Sequence, residues 1–246
     1  YNQRMFEREN HFPMGKERSD LIAENAEKIS RKKAQEANSH NLPYKWFDSR
    51  LDMPTLRSGF QYRDGSLYET LGIVLPDSED SLRYYIETTL TKKSGKAIGI
   101  EFGGPGSRLF SDFTPKFFQR SIGITLIDHR QDHWFDEVKK NDQKIRHSVK
   151  EGNVLDPNTL KDIEKWLCGE KADLIIERMA LGLNLIPAEP YLLADVIQSW
   201  YRLLGDGGLM LIQVPVALNP ILDAWGQMLQ QKCQDTLEVQ YNLGEK

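Results

Sequence analysis

The chain predicts an α/β protein: a parallel sheet covered by helices on both faces, preceded by a mainly helical and irregular extension. Three observations predict it. From residue 79 onward, short apolar runs alternate with stretches of helical periodicity, and parallel strands need crossover connections that are usually helical. The first run, AIGI, ends in Glu101 and drops straight into the glycine-rich turn FGGPG. Four successive runs end in hydrogen-bonding side chains, where ligands of such sheets bind.

The extension covers residues 1–75 and the sheet domain residues 76–246. Residues 1–40 are densely charged, with weak periodicity through Leu21, Ile22, Ala26 and Ile29, which predicts a helix lying on a surface. Between 41 and 65 the composition shifts to Tyr44, Trp46, Phe47, Phe60 and Tyr62, broken by Pro43 and Pro54. This reads as an irregular connector whose rings cover a sheet edge or helix face, or cap the open end of the sheet.

The regular part begins after Pro76. Asp77, Ser78, Glu79 and Asp80 supply capping side chains and negative charge, and Leu82, Tyr85, Ile86 and Leu90 then fall on one face, so a helix is expected over 79–91. Strands are expected over 97–101, 122–127, 148–152, 173–176 and 209–214. The helices between them are expected over 106–119, 131–143, 157–168 and 190–204. A helix over 219–234 and a strand over 236–242 complete the expected order. The rings of the WFDE segment, Trp134 to Glu137, are expected to pack on the sheet.

Composition narrows the function. With 246 residues the chain can bury a sizeable core. Its net charge of -4 and pI near 5.8 give no broad attraction to nucleic acid or an anionic membrane. No apolar run approaches the roughly 18 to 20 residues that span a bilayer, and residues 1–40 hold no signal-peptide core. Cys168 and Cys233 show neither metal-ligand spacing nor a disulfide framework, so a reducing, cytoplasmic setting is expected. Zinc patterns, a nucleophile elbow and a Walker loop are absent from the sequence.

The strand ends carry the chemistry. Gly103, Gly104 and Gly106 let the backbone turn sharply and approach a ligand without steric cost. Asp128, after ITLI, is placed to accept from both hydroxyls of a ribose; Asn153, after VKEG, to accept from an adenine amino group. Glu177 and Arg178 follow ADLII. A nicotinamide-binding domain also pairs a glycine turn with an acid after the second strand. Aligning its glycines on Gly104 and Gly106, however, puts Leu109 where the third must close helix against strand.

Residues 79–242 resemble the class I S-adenosylmethionine-dependent methyltransferases, which have a Rossmann-like sheet. The matching features are Glu101 with its glycine turn, Asp128 in TLIDHR, Asn153 in EGNVLDP, Asp173 in ADLII and the phrase LLGDGGLMLI over 203–212. The resemblance implies a methyl donor, S-adenosyl-L-methionine, held by Glu101, Phe102, Gly103, Gly104, Gly106, Asp128, His129, Asn153, Val154 and Glu177. It also implies transfer of the methyl group to an O or N acceptor, either a small molecule or a protein. The turn is one residue shorter than the acid-x-Gly-x-Gly-x-Gly pattern, and the interval from Glu101 to Asp128 exceeds the ~20 residues of dinucleotide fingerprints, which predicts extra helix around Phe113–Phe118. The phrase at 203–212 is expected to turn tightly from a helix into a buried strand.

A methyl group on a sulfonium is already activated, so the chemistry requires alignment and exclusion of water more than acid–base machinery. For a hydroxyl or protonated amine a general base helps, and Glu177 and His129 are the candidates, ahead of His133. IIERMALG replaces the Asn-Pro-Pro-Tyr signature of adenine and glutamine amide methylation. It also lacks a suitably spaced second glutamate for arginine. A catalytically inactive binding module on the same fold is the alternative reading, resting on the short turn.

Overall fold

The structure, a computed structural model, describes residues 66–67, 79–125, 136–154, 156–177, 190–212 and 222–232. Its elements in chain order are α1 (Glu79–Thr89), β1 (Ala97–Phe102), α2 (Ser107–Ser111), β2 (Phe118–Thr125), α3 (Asp136–Ile145) and β3 (His147–Glu151), followed by α4 (Pro157–Leu167), β4 (Ala172–Glu177), α5 (Pro190–Tyr201), β5 (Leu204–Ile212) and α6 (Leu222–Lys232). The strands form one parallel sheet in the order β3-β2-β1-β4-β5. The expected α/β architecture is therefore present, with helices on both faces. The predicted surface helix, the aromatic connector, Trp134 and the strand over 236–242 lie outside the described residues.

Alternation along the strands divides the core in two. Ile98, Ile100 and Phe102 of β1, with Ile122, Ile124 and Ile175, pack under α4, α5 and α6 through Ile163, Leu167, Val196, Ile197, Trp200 and Leu229. On the opposite face Ala97, Leu174 and Ile176 pack with Leu82, Ile86 and Leu90 of α1 and its continuation, and with Leu109 and Phe110 of α2. Burying both faces of β1 explains why all six of its residues are inaccessible. Leu67, upstream of the expected boundary at residue 76, is fully buried in the second cluster, and its N–H donates to Asp112 Oδ2 at 2.7 Å.

Three expectations are corrected. In α1 the buried stripe is Leu82, Ile86 and Leu90, whereas Tyr85 is half exposed, because an exact four-residue repeat points those three the same way. The helix expected over 106–119 ends at Ser111, and β2 starts at Phe118. Thr114 donates through its N–H and hydroxyl to the Glu87 carboxylate (2.6 and 2.9 Å), Pro115 offers no amide, and Lys116 takes φ 67°. In place of further helix, Phe113, Phe117 and Phe118 form an edge-to-face cluster with Phe110.

The third correction concerns LLGDGGLMLI. The turn out of α5 lies at Arg202 and Leu203, before the glycines, and β5 already begins at Leu204 rather than at 209. Leu204 pairs with Ala172 and Leu209 with Leu174, so Gly205 to Gly208 are taken up in a bulge, with Gly207 at φ 68°. The strand is half buried, as expected for a strand with only β4 beside it among the described residues.

α4 matches its sequence signals closely. Asp156 caps it by accepting the Asn158 N–H at 2.9 Å, Pro157 opens it, and Cys168 closes it in the left-handed conformation. Its last carbonyls, on Trp166 and Leu167, accept from the Arg120 guanidinium at 2.8 and 2.7 Å, and that group lies over the Trp166 ring.

Candidate functional site

The strand order locates the site. The chain leaves β1 for β2 and β3 on one side, then returns through α4 to β4 on the other. The switch in direction therefore falls between β1 and β4, and beyond the carboxyl ends of strands at such a point is where ligands of open α/β sheets bind. Phe102 and Glu177 are register partners there. Glu177 closes a β4 that is buried along its whole length. It shares the face of Phe102, the face covered by α4, α5 and α6.

Glu101 stands one residue earlier, opposite Ile176, and so projects to the other face. Its side chain is fully buried. The turn that follows is shaped by close backbone approaches. Gly103 adopts φ 87° and donates its N–H to Ile124 O at 2.8 Å, which bends the chain over β2. Pro105 then packs directly on Gly123 of β2, where an added Cβ would lie 2.0 Å from its carbonyl oxygen. Gly106, at φ 76°, opens α2; a Cβ there would meet Glu101 Oε2 at 3.0 Å and the His147 ring at 2.9 Å.

The turn thus lies over β2 and the start of β3. Its amide inventory is small. Gly103 has spent its N–H on Ile124 and Pro105 has none, which leaves those of Gly104 and Gly106. α2, with five residues, adds only a single helical turn. A pyrophosphate cradle needs more convergent amides than this. Leu109, where a dinucleotide fingerprint would require glycine, is fully buried in the core.

His147 is a residue that the sequence did not single out. It opens β3 opposite Ser121, with Nδ1 2.8 Å from Ser121 Oγ and Nε2 2.5 Å from Pro105 O. A carbonyl only accepts, so Nε2 carries a proton, and in the neutral ring Nδ1 accepts from the Ser121 hydroxyl. The only sequence signal was a histidine immediately before an alternating strand.

The remaining predicted residues divide as follows. Phe102 is fully buried against Trp200, with ring centroids 5.1 Å apart. Val154 is buried in the same cluster, and its carbonyl accepts from Trp200 Nε1 at 3.0 Å. Trp200, also unanticipated, therefore ties the end of β1 to the loop after β3. Asn153 is half buried beyond β3, and its carbonyl accepts the Asp156 N–H at 2.8 Å. The ends of β2 and β3 are joined by Gly152 N–H donating to Thr125 O at 2.9 Å. Asp128, His129, His133 and Arg178 lie outside the described residues.

Asp173 stands at the opposite, amino-terminal edge. It accepts the Ile98 N–H at 2.9 Å and pairs with Lys93 Nζ at 3.1 Å, joining the beginnings of β1 and β4. Among the described residues no group of acids, histidines and cysteines has the arrangement of a metal site. Among them, too, no helix is long and apolar enough to cross a membrane. Compared with protein-family models and with curated proteins, the chain matches none.

Proposed function

We propose that the chain is a cytoplasmic S-adenosylmethionine-dependent methyltransferase that acts on an oxygen or nitrogen acceptor in a small molecule or protein. One observation carries this reading: at the β1/β4 switch point stand two buried carboxyl groups, Glu101 beneath a glycine turn that is poor in amide donors and Glu177 on the opposite face of the sheet. Such a donor set suits a cationic ligand better than a phosphate, and S-adenosylmethionine carries a sulfonium and an ammonium. When bound, it supplies an activated methyl group. In this reading Gly104 and Gly106 meet the ligand through backbone, Asn153 and Asp128 hold its nucleoside, and Glu177 faces the reacting centre. For a hydroxyl or ammonium acceptor, Glu177 or His129 takes the proton.

The fold alone does not separate catalysis from binding. A second reading, a non-catalytic module that retains the ligand site, is favoured by the turn itself, whose short span is pressed onto Gly123. Isothermal titration with S-adenosylmethionine and S-adenosylhomocysteine tests the shared premise; the expected result is binding of both, and binding of neither rejects it. Release of S-adenosylhomocysteine over pooled metabolites, peptides and RNA then separates enzyme from module.

A further inference from the structure

We infer that His147 is a positioning residue: it clasps the glycine turn in its ligand-binding shape through the Pro105 carbonyl, and Ser121 orients its ring. The inference rests on reading that turn as part of the ligand site. It concerns a residue outside every strand end considered so far, since His147 begins its strand where the other site residues finish theirs.

Four contacts converge on this role. The imidazole reaches Pro105 O through Nε2, and Pro105 is the residue at which the turn touches β2. The same ring occupies the space a Gly106 side chain would fill, so it supports the turn at consecutive residues, beside the buried Glu101 carboxyl. The Pro105 carbonyl, which only accepts, fixes the proton on Nε2, and Ser121, fully buried on β2, lies 2.8 Å from the other nitrogen and donates to it in the neutral ring. Phe110 flanks the ring at 5.5 Å between centroids, which restricts its rotation. A ring fixed on both sides delivers one directed N–H, and Pro105, lacking its own amide, cannot tether the turn by donating. The nearest backbone restraints are Gly103 N–H to Ile124 O at 2.8 Å and Phe110 N–H to Gly106 O at 3.0 Å, which bracket the clasped residues.

Two substitutions of similar polarity separate the clasp from simple packing. In His147→Gln the side-chain amide nitrogen falls near the position of Nε2 and can still donate to Pro105; in His147→Asn the amide reaches only the position of Nδ1, next to Ser121. On the full chain, amide exchange at Gly103 and Phe110 without ligand is expected to quicken at least tenfold in His147→Asn and less than threefold in His147→Gln. Affinity for S-adenosylhomocysteine is expected to fall at least fivefold in the first and to stay within twofold in the second. In the unsubstituted chain, nitrogen-15 spectra of the ring should show a protonated Nε2 and a bare Nδ1.

Equal exchange in all three chains, or equal damage from both substitutions, overturns the clasp. If the unsubstituted chain binds neither S-adenosylmethionine nor S-adenosylhomocysteine, the methyl-donor reading fails instead. Exchange at Gly103 and Phe110 then decides the clasp by itself.

Discussion

Pro105 rests on Gly123 so closely that no side chain fits between them: an added Cβ would stand 2.0 Å from the Pro105 carbonyl oxygen and 2.2 Å from its carbon. Because both obstacles are backbone, Gly123→Ala must push the turn away from the sheet. The expected cost is about 3 kcal/mol, at the upper end for overpacking, together with loss of ligand affinity. Gly169→Ala provides the comparison. Nothing lies within 4 Å of its Cβ, and only its left-handed φ of 86° is penalised, by roughly 1–2 kcal/mol. Urea denaturation of both variants checks the order; the reverse order would show that the close approach is absent.

Asp173 is expected to matter for stability and not for ligand binding. Asp173→Ala leaves the buried Ile98 N–H without its acceptor and should cost about 1–3 kcal/mol. Asp173→Asn keeps an acceptor oxygen and forfeits only the pair with Lys93, which is 44% exposed, so it should cost less than ~1 kcal/mol. Affinity for S-adenosylhomocysteine should be unchanged in both. A drop in that affinity without a drop in melting temperature would move Asp173 into the site.

The charge of Glu177 is expected to act directly on the ligand. Glu177→Gln preserves shape and one acceptor oxygen but removes the charge, so a decline in methyl transfer of about a hundredfold in a chain that still folds is the expected result. Asp128→Ala should weaken S-adenosylmethionine binding more than tenfold through loss of a bidentate hydroxyl contact. Calorimetry that finds wild-type affinity in Asp128→Ala would refute its ribose role.

The pairing of β3 with α4 is expected to respond to acid. Lys150 and Lys165 donate to the Asp162 carboxylate at 3.0 and 3.2 Å, and the Lys150 hydrogen bond, followed by that of Lys165, holds the carboxyl below its ordinary value near 3.8. A lowered folded value means that the contribution is complete above the unfolded value and disappears as pH falls through the folded one. Asp162→Asn should therefore have a lower melting temperature than the unsubstituted chain at pH 7, and the difference should shrink below pH ~4. A constant difference across that range would exclude the ion pair as its source.

Much of this arrangement was legible in the residues. The alternation of apolar runs and helical stretches identified the parallel sheet, and the helix expected over 157–168 is present as α4, Pro157–Leu167. What escaped was non-local. Whether the phenylalanines at 113, 117 and 118 continue a helix or form a plug depends on α1 and its Glu87, which are distant in sequence. His147 acquires its role only when Pro105 is folded onto β2, and Asp173, which resembles a family signature, joins strands at the edge away from the site. Propensity describes neighbours along the chain, whereas these three roles are set by neighbours across the sheet.

Glu101 and Glu177 lie on adjoining strands, yet one step of register sends them to opposite faces of a sheet whose backbone stands between them. The sheet acts as a partition. Under the proposed function, changes around Glu101, His147 and the turn would tune how firmly the ligand is gripped, and changes around Glu177, Phe102 and Trp200 would adjust the acceptor, so that the two properties could vary separately.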